Sequence, residues 1–366
     1  MEHIKKTKNS TKNNQRNDNK FRTHRISIAS CNYLVANAWQ GQLFRVHFEV
    51  MANKKQAGSA QRNPEDFIVP LLMNGLEGRM LHMPAPRGKS REMLFVYGHH
   101  SSLERLFGLM EVLNKYGSVT MPDLPGFGGM EPFYKIGLKP SIDNLADYLA
   151  AFVKMRYKRK KVTIVAMSLG FAIVTRMLQR CPELTKKVNL LISVVGFVHH
   201  EEFVFSKRNF YMLRYGASFF SNRIPAFVGK KIALRPSLIR ATYALVADKN
   251  AKLKDADAEE RKKRIDFEIH LWQANDIRTY MDTSISMFTL NLVNERVNLP
   301  VYHIGVAEDR YFDNHIIEQH LAVIYDKVTV VQTSFKNHAP TVIADADAAS
   351  MFIPLKLKRI LAQNPR

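Results

Sequence analysis

Unbroken apolar runs, rather than alternating ones, organise the first half of the chain. Met93-Leu-Phe-Val-Tyr97, Val162-Thr-Ile-Val-Ala-Met167 and Val188-Asn-Leu-Leu-Ile-Ser-Val-Val195 have strand length and are apolar on both faces. That is the pattern of parallel strands covered on both sides. Segments with helical spacing separate them: Leu103 to Tyr116, Ser141 to Arg156 with Ser141 as its N-cap, and Phe171 to Arg180. Ser118-Val-Thr-Met121 adds a short strand. Strand–helix–strand alternation with short loops predicts an α/β fold with a mostly parallel, doubly wound sheet and right-handed crossovers. Ahead of it, Phe67 to Met73 and Arg79 to Met83 flank the turn-rich Asn74-Gly-Leu-Glu-Gly78 and predict a hairpin. Pro70 puts the first of these strands at a sheet edge.

The alternation stops at Val198 and resumes near Asn298. The hundred residues between are helical in pattern, with aromatic and basic residues mixed. Strands return at Val301 to Ile304 and Val328 to Val331, and a last helix is predicted from about Ala344 to Leu361. The expected organisation is a core over 61–197 and 298–366, a helical cap or lid inserted at 198–297, and a basic lead over 1–60. Met51 opens a second polar lead just before the first strand, so the first 50 residues are expected to be dispensable.

Composition narrows this picture. A chain that is 46% hydrophobic and 10% aromatic supports a large core, and no apolar run approaches the ~18 residues of a membrane span. The net charge of +21 draws on the first 25 residues and on Lys154 to Lys161. Either segment would attract nucleic acid or an anionic membrane weakly. No nucleic-acid recognition motif accompanies them, so no specific nucleic-acid partner is expected, and they read as a solvated tail and a solvated helix end. Cys31 and Cys181 have no metal-ligand spacing and suit a reducing compartment. Ile26 to Val35 followed by Ala36-Asn37-Ala38 looks superficially like a secretion signal, but Ser, Cys and Asn interrupt its apolar core. A cytoplasmic location is expected.

The candidate chemistry sits at strand ends. Ala166-Met167-Ser168-Leu169-Gly170 lies between a buried strand and a helix. A sharp strand-to-helix turn exposes a serine hydroxyl only if the residues two before and two after are small, as Ala166 and Gly170 are. The segment resembles the nucleophile elbow of the α/β-hydrolase superfamily. Three further stretches extend the resemblance over about 67–197 and 298–361. Tyr97-Gly98-His99-His100 is similar to the family's His-Gly-x oxyanion segment, with Tyr97 in place of His. Asp123-Leu-Pro-Gly-Phe-Gly128 resembles a structural loop of many relatives. Gly305-Val-Ala-Glu-Asp309-Arg-Tyr-Phe-Asp313 and Asn337-His338-Ala-Pro340 resemble the loops bearing the acid and the base.

The resemblance implies Ser168 as nucleophile, His338 as general base and Asp309 as the acid, in the chain order the fold uses. Asp313 and Glu308 are alternatives for the acid. Backbone N–H groups of His99 and Leu169 would form the oxyanion hole. The implied activity is cleavage of an ester or thioester through an acyl-enzyme, a carboxylesterase- or lipase-like hydrolase with no metal and no cofactor. Its partner would be a small, apolar acyl substrate. A non-catalytic binding protein of the same fold, or an acyltransferase with the same triad, are the alternatives. Phe203, Phe205, Phe210, Tyr211, Tyr215, Phe219, Phe220 and Phe227 in the insertion either line an acyl pocket or pack the lid itself.

Overall fold

The computed structural model describes residues 62–246, 257–307, 309–333, 346–351 and 353–363. The lead over 1–60, Glu308 and His338 lie outside the described residues. The hairpin forms as β1 (Ile68–Met73) and β2 (Leu76–Met83), paired antiparallel with Met73 opposite Leu76. The turn is tighter than the composition of 74–78 predicts. Asn74 and Gly75 take φ of 53° and 76°, so an Asn-Gly pair of the type I′ kind closes it alone. Pro70 is indeed in the edge strand.

The alternating region follows as β3 (Arg91–Val96), α1 (Phe107–Asn114), β4 (Gly117–Pro122), α2 (Ile142–Arg156), β5 (Val162–Met167), α3 (Leu169–Arg180) and β6 (Val188–Val194). Ser141 caps α2, its side chain accepting from the Asn144 N–H at 3.1 Å. Five helices then intervene: α4 (Lys207–Phe220), α5 (Arg223–Lys231), α6 (Pro236–Val246), α7 (Ala258–Ala274) and α8 (Ile277–Met287). The chain returns through β7 (Val297–Val306), α9 (Asn314–Ile324), β8 (Tyr325–Thr333), α10 (Ala346–Met351) and α11 (Leu355–Ala362). Two elements depart from the sequence pattern. Helix α9 is an addition, buried through Ile317, Leu321 and Ile324 at helical spacing. The expected single last helix is two, because Pro354 has no N–H to continue the first.

The eight strands lie in the order β1-β2-β4-β3-β5-β6-β7-β8, parallel from β4 onward. This order fixes where a ligand can sit. The chain leaves β3 toward β4 on one side and leaves β5 toward β6 on the other. Right-handed crossovers therefore place α1 on one face of the sheet and α2 and α3 on the opposite face. A crevice opens at the carboxyl ends of β3 and β5, the switch point of an open α/β sheet.

Several polar side chains inside this frame tie elements together. Arg180 makes a two-pronged ion pair to Asp147, 2.8 Å on each side, joining α3 to α2. Arg91 on β3 donates to the Thr163 hydroxyl at 2.8 Å and to the Gln363 carbonyl at 2.6 Å, tying the end of α11 to the sheet. In the basic run that ends α2, residues 158–161 are exposed, while Lys154 pairs with Glu183 at 2.8 Å and Lys160 with Glu92.

His303, on β7, is 1% exposed and hydrogen-bonds Ser193 of β6 through Nδ1 at 2.9 Å. Burial pushes its pKa down to about 4. The unfolded chain binds this proton near ~6.5, so the folded state loses stability as pH falls from there through about 4. The full effect is on the order of 3 kcal/mol. Urea unfolding between neutral and acidic pH should show His303→Gln, which keeps an acceptor for Ser193, with a shallower acid loss than the parent. Equal slopes would contradict the assignment.

Candidate active site

Ser168 stands between β5 and α3 with φ 50° and ψ −122°. This is a left-handed backbone that a non-glycine residue adopts only when its surroundings hold it there. They do so here through main-chain bonds. The Ser168 N–H donates to the Val194 carbonyl at 3.0 Å, and its carbonyl accepts from the Phe171 N–H at 2.9 Å. Helix α3 begins at Leu169, so the positive end of its dipole lies at Ser168. Val195, beside it at the end of β6, is also left-handed at φ 46°, an unusual state for a β-branched residue.

The loop after β3 lies directly against the elbow. A Cβ on Gly98 would stand 3.0 Å from Ser168 Cβ and 3.5 Å from its Oγ. A Cβ on Gly170 would meet the carbonyl oxygens of Val96 and Tyr97 at 2.3 and 2.4 Å. His99 and Leu169 are thus carried on two backbone segments that touch at Ser168. Tyr97, the departure from the family's His, does not face the serine. Its buried hydroxyl donates to Asp123 Oδ1 at 2.9 Å and accepts from the Leu124 N–H at 2.7 Å. Asp123 is fully buried, receives Arg79 as well, and is pushed up to about 7 by burial, against the pull of Arg79 and Tyr97. It organises the loop, as its place in the Asp-x-Pro-Gly segment suggests.

The two histidines of the β3 loop are anchors to the helical insertion. His99 Nε2 donates to the Tyr280 carbonyl at 3.1 Å and lies 3.0 Å from the Thr283 hydroxyl on α8. Burial and the neighbouring His100 lower its pKa to about 3, so it is neutral at any working pH. His100 accepts at Nδ1 from the Asn275 amide at 3.1 Å and stacks beside Trp272. The same Asn275, 1% exposed at the α7–α8 junction, accepts from the Gly128 N–H at 2.8 Å. One amide therefore holds both loops. A few residues on, Thr279 sits where a Cβ on Gly126 would be, 2.3 Å away. Sequence patterning offered no sign of this clamp, because Asn275 lies in the polar break between two helices.

On the other side of the crevice, β7 delivers the acid candidates. Asp313 caps α9, accepting from the His315 and Ile316 N–H groups at 2.9 and 3.2 Å. Asp309 accepts the Tyr311 N–H at 2.8 Å and lies close enough to buried His303 to act on its charge. No family model and no curated protein matches the sequence. Among solved structures, the chain is similar to a membrane phospholipase A described as a bacterial virulence factor, with TM-score 0.58 and 15% identity over 80% of this chain and 86% of that one. It is similar to an enol-lactonase from Burkholderia xenovorans LB400, with TM-score 0.53 and 13% identity, covering 80% and 98%. A thermophilic esterase from Thermogutta terrifontis gives TM-score 0.51 and 14% identity, covering 78% and 95%.

The chain has the α/β-hydrolase fold. Within this fold, the aromatic residues of the insertion divide into two groups. Phe203, Phe205 and Phe210 pack inward with Phe288 and Phe312, ring centroids 4.6 to 5.4 Å apart. Tyr211, Tyr215, Phe219, Phe220 and Phe227 are exposed. A polar cleft of about 420 Å³ is lined by residues such as Asp143, Arg176 and Glu295, and by none of the elbow. One group of metal-capable side chains occurs among the described residues, His199, Glu201 and His320, with ligand atoms within 4.8 Å of one another. His320 Nδ1 meets buried Glu202 at 2.8 Å, and Glu201 is two-thirds exposed at 67%. This cluster lies between the end of β6 and α9 and includes no elbow residue.

Two substitutions test the turn at Ser168 as a packing device. Gly170→Ala forces a Cβ into two backbone carbonyls and should destabilise by about 1–3 kcal/mol or more. Asn275→Ala leaves the Gly128 N–H without its acceptor and should cost about 1–3 kcal/mol. Both are read by denaturant unfolding; a neutral Gly170→Ala would mean that the elbow is looser than described.

Proposed function

We propose that the protein is a serine hydrolase of carboxylic esters or thioesters, with Ser168 as nucleophile, His338 as general base and Asp309 as the acid that orients it. The observation that carries this reading is the left-handed Ser168 at the strand–helix turn, with Gly98 against its hydroxyl. The role of His338 rests on its loop's resemblance and on chain order. Asp309 is preferred to Asp313 because the Asp313 carboxylate is engaged as the cap of α9. Likeness to an esterase and an enol-lactonase supports ester chemistry.

The steps follow from these roles. Ser168 Oγ attacks the acyl carbon while His338 takes its proton. The carbonyl oxygen becomes an oxyanion and is received by the Leu169 and His99 N–H groups at the start of α3 and the end of β3. Collapse expels the alcohol or thiol, protonated by the imidazolium, and leaves acyl-Ser168. Water, deprotonated by His338, attacks the acyl carbon, and Ser168 leaves with the proton returned. An imidazole base works only unprotonated, so turnover should rise with pH through about 6–7.

Labelling with a fluorophosphonate, followed by peptide mapping, should find the adduct on Ser168 and lose it in Ser168→Ala. Equal labelling of that variant removes the assignment. Asp309→Asn should lower kcat by roughly 10³–10⁴-fold, with Asp313→Asn costing mainly stability; the opposite ranking moves the acid to Asp313. On p-nitrophenyl esters from acetyl to dodecanoyl, kcat/KM should climb about fourfold per added methylene until the apolar site is filled, from about 0.8 kcal/mol per CH₂. A flat profile would argue against an apolar acyl substrate, and no turnover on any ester or thioester would favour a binding protein.

A further inference from the structure

The outer helices of the insertion are built inside out. Their buried positions hold small or aliphatic residues: Ala217 on α4, Ala226 on α5 and Ile239 on α6, 4–5% exposed. Ile239 packs with Ile265 and Ile269 of α7. Most of the large apolar side chains are exposed, Phe210, Leu234 and Tyr243 being exceptions. Tyr215 is 69% exposed, Ile224 76%, Phe227 63%, Ile232 59% and Leu245 86%. Twelve of the eighteen exposed large hydrophobic residues among the described ones fall within 207–246. A water-facing cap gains nothing from this, since each such side chain forgoes about 1.5–3 kcal/mol of burial. Exposed apolar side chains concentrated in one segment in this way point to an interaction site.

The charge of the same forty residues identifies what covers it. The segment 207–246 contains eight Lys and Arg and no Asp or Glu. Only Arg240 pairs with a carboxylate among the described residues, Asp266 at 2.6 Å. A second copy placed on this face would bring eight more cations against the first eight. Nucleic acid would use the cations and the rings but leave Ile224, Ile232 and Leu245 in water. Basic side chains interleaved with aromatic and aliphatic ones are the composition of helices that lie in the interface of a bilayer.

We infer that α4, α5 and α6 form a docking surface for an anionic phospholipid bilayer, with Phe227, Ile224 and their neighbours entering the acyl region and the lysines and arginines at the headgroup phosphates. No helix among the described residues is long and apolar enough to cross a membrane, so this contact is peripheral. Docking stands apart from the chemistry; that it would bring bilayer esters to Ser168 rests on the serine-hydrolase reading.

Sedimentation of the full chain with vesicles tests it, using Ser168→Ala so that catalysis plays no part. The protein should bind phosphatidylcholine vesicles containing phosphatidylglycerol more tightly than phosphatidylcholine alone, and salt should weaken binding. Lys230→Gln with Lys231→Gln should weaken binding to anionic vesicles about 25-fold, from about fivefold per cation. Ile224→Ser with Phe227→Ser should weaken it on both lipids. Ile224, Phe227 and Lys231 are exposed and Lys230 is half-buried, and unchanged thermal unfolding confirms that each variant is folded. Wild-type binding in both double variants would overturn the inference, since attraction would then come from elsewhere, such as the basic lead. Failure to bind either vesicle would overturn it too, as would a dimer in light scattering that the apolar substitutions dissociate. Tighter binding to single-stranded nucleic acid than to anionic vesicles would reassign the face.

Discussion

The structure depends on a backbone-to-backbone contact that no side chain could tolerate. At Gly170, α3 leaves β5 so close to β3 that a single added carbon would reach two carbonyl oxygens. At Gly98, the β3 loop returns the contact against Ser168. These two glycines let the first turn of a helix and the end of a neighbouring strand share one small space. The helix dipole and its first N–H groups are concentrated there because main chain, and not side chain, fills it. The strained φ of Ser168 follows from the same crowding. The sheet order supplies the other half of the arrangement, since crossovers leaving β3 and β5 in opposite directions open a crevice over that contact.

Around this centre, polar side chains serve mainly as ties between segments far apart in sequence. Tyr97 and Arg79 bind Asp123 from two strands, and Asn275 joins two loops to the junction of α7 and α8. His99 and His100 look, as a sequence pair, like acid–base or metal-binding groups. In the fold, their rings are turned to the helical insertion, and the depressed pKa of His99 keeps it neutral. The loop therefore presents its backbone to the crevice while its side chains hold it to the helical insertion.

Much of this was legible in the chain. Apolar runs named the strands of the parallel region, and the small residues flanking Ser168 marked the turn, because both signals are local. The signals that failed were those whose meaning is tertiary. Aromatic residues in the insertion read alike in sequence, yet Phe203 and Phe210 pack inward while Phe219 and Phe227 face out. Helical spacing says that a face is apolar, not which way it looks. Asn275 carries no local signature, since an asparagine between helices is ordinary. His303 on β7 has no local signal inside an apolar strand, and only pairing with Ser193 across the sheet gives it a role.

The insertion has a consequence in polymer terms. Strands β6 and β7 are neighbours in register, Leu191 beside Val301, although about a hundred residues separate them along the chain. Bringing the ends of such a loop together costs entropy that grows only with the logarithm of its length, about 0.6 kcal/mol for each doubling. Once the chain has left the sheet, one more helix thus costs the sheet less than a single hydrogen bond contributes. The length and outer surface of the cap are close to free variables for the core, whereas one methyl group at Gly170 is not. Selection on this molecule can redesign the surface that meets its partners while the few backbone contacts at Ser168 stay fixed.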